Sequence, residues 1–139
     1  MKYIEGNNFV DDRGMLTFFN SFSFDKVKRV YLVRNHSKNY IRAWHGHLKE
    51  EKYVQVVQGA ALVGAVPLDD MKLESCYKKV LSEHTPGILH IPNGYANGFK
   101  TLTENTILQF FSTSTLDESK GDDIRFDFDE VNIWEEDYR

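Results

Sequence analysis

Cysteine is almost missing: Cys76 is the single one among 139 residues. No disulfide can form within the chain, and a reducing compartment is the expectation. Cys76 lies in Leu73-Glu74-Ser75-Cys76-Tyr77-Lys78-Lys79 without a charged catalytic neighbourhood, and reads as a bland thiol rather than a nucleophile. Basic charge is not in excess. There are 17 Lys and Arg against 21 Asp and Glu, a net charge of −4, so the broad cationic face that binds nucleic acid is not expected. One or two arginines would still suffice for a small phosphorylated ligand. Long hydrophobic runs are lacking too. The stretch from Ala60 to Leu68 is broken by Gly64 and Pro67 and is too short to cross a bilayer. Met1 to Gly6 has no signal-peptide character. A soluble, cytoplasmic protein is expected, with no membrane partner. Internal repeats, low-complexity tracts and linkers are absent, and long helical periodicity is hard to find.

What is present suits one domain over residues 1–139. Hydrophobic residues make up 41% and aromatics 14%, enough for a real core. Short runs rich in β-branched and aromatic residues alternate with Gly, Asn, Asp and Pro. Arg29 to Val33, Tyr53 to Val57, Ala61 to Val66, Tyr77 to Leu81, Gly87 to Ile91, Gly98 to Leu102 and Thr106 to Phe111 read as strands. Seven or more short strands at near-regular spacing imply an all-β sandwich or barrel. Trp44, Phe99, Phe110 and Phe111 are read as barrel filling. The acidic stretch from Asp117 to Arg139 has room for a helical turn or an edge segment. His36 and His84 sit in polar, loop-like contexts, and His90 points either into a cleft or out to water.

The most informative stretch is Arg42-Ala43-Trp44-His45-Gly46-His47-Leu48-Lys49-Glu50-Glu51-Lys52. His45 and His47 are two apart, so on a strand they share a face. Two imidazoles on one face can bind a metal or move protons. His45-x-His47-x3-Glu51 followed by Gly59 resembles the first cupin motif. Gly87 to Asn97, with Pro92-Asn93-Gly94 at its centre, resembles the second. Metal-binding cupins carry a histidine where this chain has Asn97, and an amide is a poor ligand for a transition metal. Acid–base use of the histidines is therefore favoured over a metal held by His45, His47 and Glu51. No metal and no cofactor are assigned.

Further segments narrow the resemblance. Asp12-Arg13-Gly14 resembles the D-x-R-G element of dTDP-4-dehydrorhamnose 3,5-epimerases and dTDP-4-keto-6-deoxyglucose 3,4-ketoisomerases. Asn35-His36-Ser37-Lys38 followed by Arg42-x-x-His45 resembles the epimerase N-x-S-x…R-G-L-H. Ile91 to Leu102 resembles I-P-x-G-F-A-H-G-F-x-x-L. The likeness runs from about Asp11 to about Trp134. It implies a cupin-type jelly-roll barrel that isomerises a nucleotide-linked 4-keto-6-deoxy sugar, with dTDP the family default, for surface polysaccharide synthesis.

By that resemblance His45 matches the base and Lys52 matches the lysine near the keto oxygen, with His47 as a second catalytic imidazole. Arg42 contacts the substrate, Arg13 the diphosphate, and Glu51, Asn97 and Tyr95 complete the binding residues. The family also implies a homodimer that exchanges N-terminal strands. Two features depart from the epimerases. The tyrosine acid is replaced by Thr115-Leu116. The C-terminal extension whose aspartate partners the base histidine is not expected; Asp127, Asp129 or Asp137 would have to substitute. Epimerisation at C3, C5 or both is the leading reading. A 3,4-ketoisomerase, matched by Arg42-x-x-His45-x-His47, and a non-catalytic sugar-nucleotide-binding cupin are the alternatives.

Overall fold

Alternation governs the architecture. In the computed structural model, which describes residues 1–139, the strand Lys52–Gln58 buries Lys52, Val54 and Val56 and turns Tyr53 and Gln55 the other way, as the two-residue period of a strand requires. The strands in chain order are β1 Lys2–Glu5, β2 Asn7–Asp11, β3 Gly14–Phe18, β4 Arg29–Arg34, β5 Ile41–His47, β6 Lys52–Gln58, β7 Ala60–Pro67, β8 Tyr77–Ser82, β9 Gly87–Ile91, β10 Tyr95–Thr101, β11 Ile107–Ser112 and β12 Ile124–Arg125. One short helix, α1, spans Leu116–Lys120. No helix is long and apolar enough to cross a membrane.

Two five-stranded antiparallel sheets face each other, in the orders β1-β9-β6-β11-β4 and β12-β5-β10-β7-β8. This is the expected all-β jelly-roll barrel. Its interior is filled by Val54, Val56, Val63, Leu81, Leu89, Ile91, Phe99, Leu108, Phe110 and smaller neighbours. At Gly59 the chain turns from β6 to β7 with φ +80°, and a Cβ there would collide with the hydroxyls of Thr103 and Thr106. Only glycine meets both demands.

A second core lies outside the barrel. Trp44, Val66, Ala96, Val131, Ile133 and Trp134 pack together on the outer face of the second sheet. The Trp44 indole N–H donates to the carbonyls of Phe128 and Val131, each at 3.2 Å, and Lys100 donates to the Trp134 carbonyl at 2.8 Å. Trp44 therefore anchors the C-terminal segment rather than filling the barrel, which corrects the expectation for it. Phe111 also faces outward, against Phe22 and Phe24; Phe99 and Phe110 are inside.

Two further departures matter. Thr115, where the family acid was sought, caps α1: its hydroxyl accepts from the Glu118 N–H at 3.3 Å while Glu118 accepts from the Thr115 N–H at 3.0 Å, a capping box. And β2 pairs only with β3, forming a hairpin apart from both sheets. Phe9, Val10, Met15 and Leu16 on it are 51–69% exposed.

Candidate active site

Between the sheets lies a cavity of about 180 Å³. One wall carries Tyr31 and Val33 of β4, Lys52 of β6 and Phe110 of β11; the other carries Arg42 and His45 of β5 with Asn97 and Phe99 of β10. Arg42 and His45 also line an outer groove of about 550 Å³ with Tyr40, Arg125 and Asp127. The Arg42 Nε donates to Asn35 Oδ1 at 2.8 Å. Asn35 in turn lines a wholly polar cavity of about 510 Å³ with His36, Ser37, Lys38 and Thr101. Arg42 thus stands where the inner cavity meets the outer polar space.

The spacing Arg42-x-x-His45 has a local cause. On a regular strand, residues three apart face opposite sides. Here His45 pairs with Asn97 and Arg42 with Phe99, so Ala43 and Trp44 together oppose Gly98. This bulge puts the extra residue into β5 and returns both Arg42 and His45 to the cavity. Gly98 permits it, since a Cβ would lie 2.5 Å from that of Ala43. Trp44 is thrown outward into the second core by the same geometry.

The electrostatics follow from burial. His45 is held below the ordinary imidazole value, first by desolvation and then by Lys52 and Arg125, with Asp123 opposing. Its resting form at neutral pH is therefore neutral, able to accept a proton. Lys52 is also lowered, chiefly by burial, with Glu50 holding it up and Arg29 pressing it down. Its ammonium donates to Asn97 Oδ1 at 3.3 Å and lies 5.9 Å from the Phe110 ring centroid. The Tyr31 hydroxyl is pushed upward by burial and by Glu50. Its ring stacks on Phe110 at 5.0 Å, interplanar angle 5°, with the Arg29 guanidinium 5.0 Å away.

Behind the cavity lies a buried polar layer. Glu50, 2% exposed, accepts from Arg29 at 3.3 Å and from the Ser112 hydroxyl at 2.8 Å. His47 shares the inward side of β5, yet it does not line the cavity. Its Nδ1 is 2.5 Å from the Asp122 carbonyl and 3.7 Å from Glu50. The Asp122 carboxylate accepts the backbone N–H groups of Leu48, Lys49 and Glu50 at 2.8–2.9 Å. It thereby fixes the loop between β5 and β6, and these bonds hold the carboxyl below its usual range against the opposing effect of desolvation.

Of the residues singled out from sequence, His45, Lys52, Arg42 and Asn97 meet in the cavity. Glu51 does not. It bonds His90 at 2.7 Å on the outer face, where His90 stacks on Tyr53; the inward carboxylate is Glu50. The parity of Lys52, Val54 and Val56 carries the signal, because a residue just before an inward Lys52 must face out. His45, His47 and Glu51 accordingly form no metal site, and no three His, Cys, Asp or Glu side chains converge elsewhere. Tyr95 pairs with His47 and packs on the barrel core without lining the cavity. Arg13 sits at the hairpin tip, its side chain 83% exposed and paired with Asp11, and does not line the cavity. Asp123 and Arg125 were missed: β12 lays Arg125 opposite His45, and a two-residue strand leaves no periodic signal. Tyr31 was missed as a cavity residue, although Arg29, Tyr31 and Val33 alternate on one strand.

A family model described as dTDP-4-dehydrorhamnose 3,5-epimerase matches residues 1–137. No curated protein matches the sequence. Among solved structures, the RmlC epimerase of Mycobacterium tuberculosis superposes with a TM-score of 0.78 at 18% identity, covering 95% of this chain and 72% of its own. The dTDP-6-deoxy-D-glucose-3,5-epimerase of Legionella pneumophila, solved with dTDP-4-keto-L-rhamnose, gives 0.77 at 19% identity, covering 95% and 77%. A sugar 3,4-ketoisomerase of Thermoanaerobacterium thermosaccharolyticum, solved with TDP, gives 0.70 at 19% identity, covering 94% and 90%. At such identities these likenesses speak for the fold.

Proposed function

The chain belongs to the dTDP-4-dehydrorhamnose 3,5-epimerase family, and we propose that it epimerises a dTDP-linked 4-keto-6-deoxy sugar at C3, C5 or both, with His45 as the base. The observation that carries this is the cavity in which a neutral imidazole, an ammonium and a guanidinium face one another. Hydrogens beside a ketone are acidic because the carbanion delocalises onto the carbonyl oxygen. His45 takes such a hydrogen. Lys52, steadied by Asn97, stabilises the enolate oxygen that forms; a preorganised donor of this kind is worth about 3–4 kcal/mol. Arg42, fixed by Asn35, holds the phosphorylated end toward the polar cavity around Ser37 and Lys38.

His47 bears on the 3,4-ketoisomerase reading. A second imidazole working on the sugar would have to face the cavity, whereas His47 is engaged by Asp122 behind it. That favours epimerisation. The exposed apolar hairpin supports a homodimer in which the N-terminal strands are exchanged. Such an exchange would carry Arg13 to a neighbour's cavity, where it would reach the diphosphate.

The test is proton NMR of dTDP-4-keto-6-deoxyglucose in deuterated water. Enzyme-dependent loss of the C3 or C5 signal, abolished in His45→Ala, is expected, with the ketone remaining at C4. A ketone appearing at C3 would replace this reading with the ketoisomerase. No exchange at either carbon would leave a binding protein.

A further inference from the structure

Inversion at carbon needs a base on one face of the sugar and an acid on the other. The base stands on β5. The position where the family supplies its acid is spent on a helix cap, Thr115. We propose that Tyr31 is the acid, delivering its phenolic proton to the face of the enolate opposite His45. This rests on the epimerase reading and adds the residue that reading lacks.

Three observations carry it. Tyr31 lines the same cavity as His45, but from β4 of the first sheet, whereas His45 comes from β5 of the second. A flat ring bound between the sheets presents one face to each. Next, the phenol is pinned. Phe110 stacks flat against its ring and the Arg29 guanidinium lies 5.0 Å from the ring centroid, near enough to act on the hydroxyl, so the ring is held in place on the cavity wall. Finally, the competing donor is drawn away. Lys52 also comes from the first sheet, yet its ammonium reaches across to Asn97, the residue paired with His45, and its charge is felt at His45. Lys52 therefore serves the side of the base. His47 is tied to Asp122 and Tyr95 is packed on the barrel core. Burial and the Glu50 carboxylate keep the Tyr31 phenol protonated, as an acid in waiting must be.

The step balances. The enolate carbon takes the proton from Tyr31 Oη; the O–H bond breaks, a C–H bond forms on the new face, and the C4 carbonyl is restored. His45 holds the proton removed from the old face, and Tyr31 is left as phenolate. Both reset through water when the product leaves, with no oxidant or reductant.

The test is Tyr31→Phe, which keeps the stacking ring and removes only the hydroxyl. Exchange of the C3 or C5 hydrogen into deuterated water should stay within about threefold of wild type, because His45 still acts. Inversion should fall by about 10²–10⁴-fold, so that deuterium enters with retained configuration. As a second measurement, 3-fluorotyrosine at position 31, a more acidic phenol, should raise the rate of inversion relative to exchange at fixed pH and leave exchange itself within about threefold. Inversion within threefold of wild type in Tyr31→Phe would overturn the assignment. So would equal loss of exchange and inversion in a folded variant, which would mark a packing role, or a ratio of inversion to exchange that ignores the fluorine. Absence of exchange in the wild-type enzyme would instead remove the epimerase reading, and the acid with it.

Discussion

The barrel interior and the N-terminal hairpin solve opposite problems. Around the cavity the polar groups are buried and partly paired: Lys52 has Asn97, and Glu50 has Arg29 and Ser112, while Glu50 Oε1, His47 Nε2 and two Arg29 nitrogens are buried without a hydrogen-bond partner. In the β2–β3 hairpin the apolar side chains stand in water, with Val10 at 69% and Leu16 at 62% exposed. The first region gathers its polar groups within its own chain. The second has the composition of a surface awaiting a partner, since monomers rarely leave contiguous apolar patches open. Charge has been drawn inward and apolar surface pushed outward, the reverse of what folding alone favours. Both inversions point to function.

Removing the proposed base is the strongest way to break the interior. His45→Ala should lower enolisation by about 10²–10⁴-fold while leaving the melting temperature near that of the wild type, because His45 is only partly buried. Exchange rates and thermal melts on the same sample check this. A folded His45→Ala that exchanges at the wild-type rate would assign the base elsewhere.

Next in size is Glu50→Ala, which leaves Arg29 facing inward without its anion. Breaking a buried pair typically costs about 3–5 kcal/mol. The low end is expected here, since the Arg29 side chain keeps 20% of its surface in water. Urea unfolding should show it. The same variant should also act on Lys52, whose acidity Glu50 restrains. Without that carboxylate the ammonium deprotonates sooner, so the alkaline limb of activity should move to lower pH. A drop in stability with no movement of that limb would confine Glu50 to architecture.

How far the sequence foretold these regions depends on whether burial obeyed alternation. The central strands were readable because Val54, Val56, Leu89 and Ile91 face one core. The hairpin strands were not, because their apolar residues face nothing within the chain. His45, Arg42, Lys52 and Asn97 were legible through motif spacing. Glu50 was not distinguished from Glu51, a one-residue matter of strand parity. Trp44 was misread because the bulge opposite Gly98 shifts its face, and a bulge is set by the partner strand. The Trp44–Trp134 core joins residues 90 positions apart, beyond any local pattern.

The pH dependence sharpens the interior further, by a smaller amount. His45 is held below its ordinary value of 6.5, so activity should persist below the pH at which a free histidine protonates and then fall. The stability sign is the same. A histidine whose folded value is depressed takes up its proton more readily when unfolded, so stability declines as pH drops through the unfolded value. Charges from β12 tune the position of the limb. Arg125 presses the His45 value down and Asp123 lifts it. Arg125→Gln should therefore move the acid limb of exchange upward and Asp123→Asn downward. Limbs that move together, or not at all, would show that β12 does not act on His45 through its charge.

The smallest energetic effect tests the hairpin. Exposed positions away from a site usually change stability by no more than about 0.5 kcal/mol, so Val10→Lys with Leu16→Lys should leave the melting of the barrel almost unchanged at low protein concentration. If the hairpin seats on a second copy, the same pair should convert a dimer to a monomer by light scattering. Buried apolar area contributes about 25 cal/mol per Å², and a lysine cannot follow it into the interface. On the proposed reading KM should rise more than kcat falls, because the barrel would keep His45 and Lys52 and lose only a neighbour's Arg13. A wild-type protein that is monomeric at working concentration would break the comparison at this point. The exposed hairpin would then need a different occupant, and the diphosphate would have to be held by Arg42 and the polar cavity beside Asn35 alone.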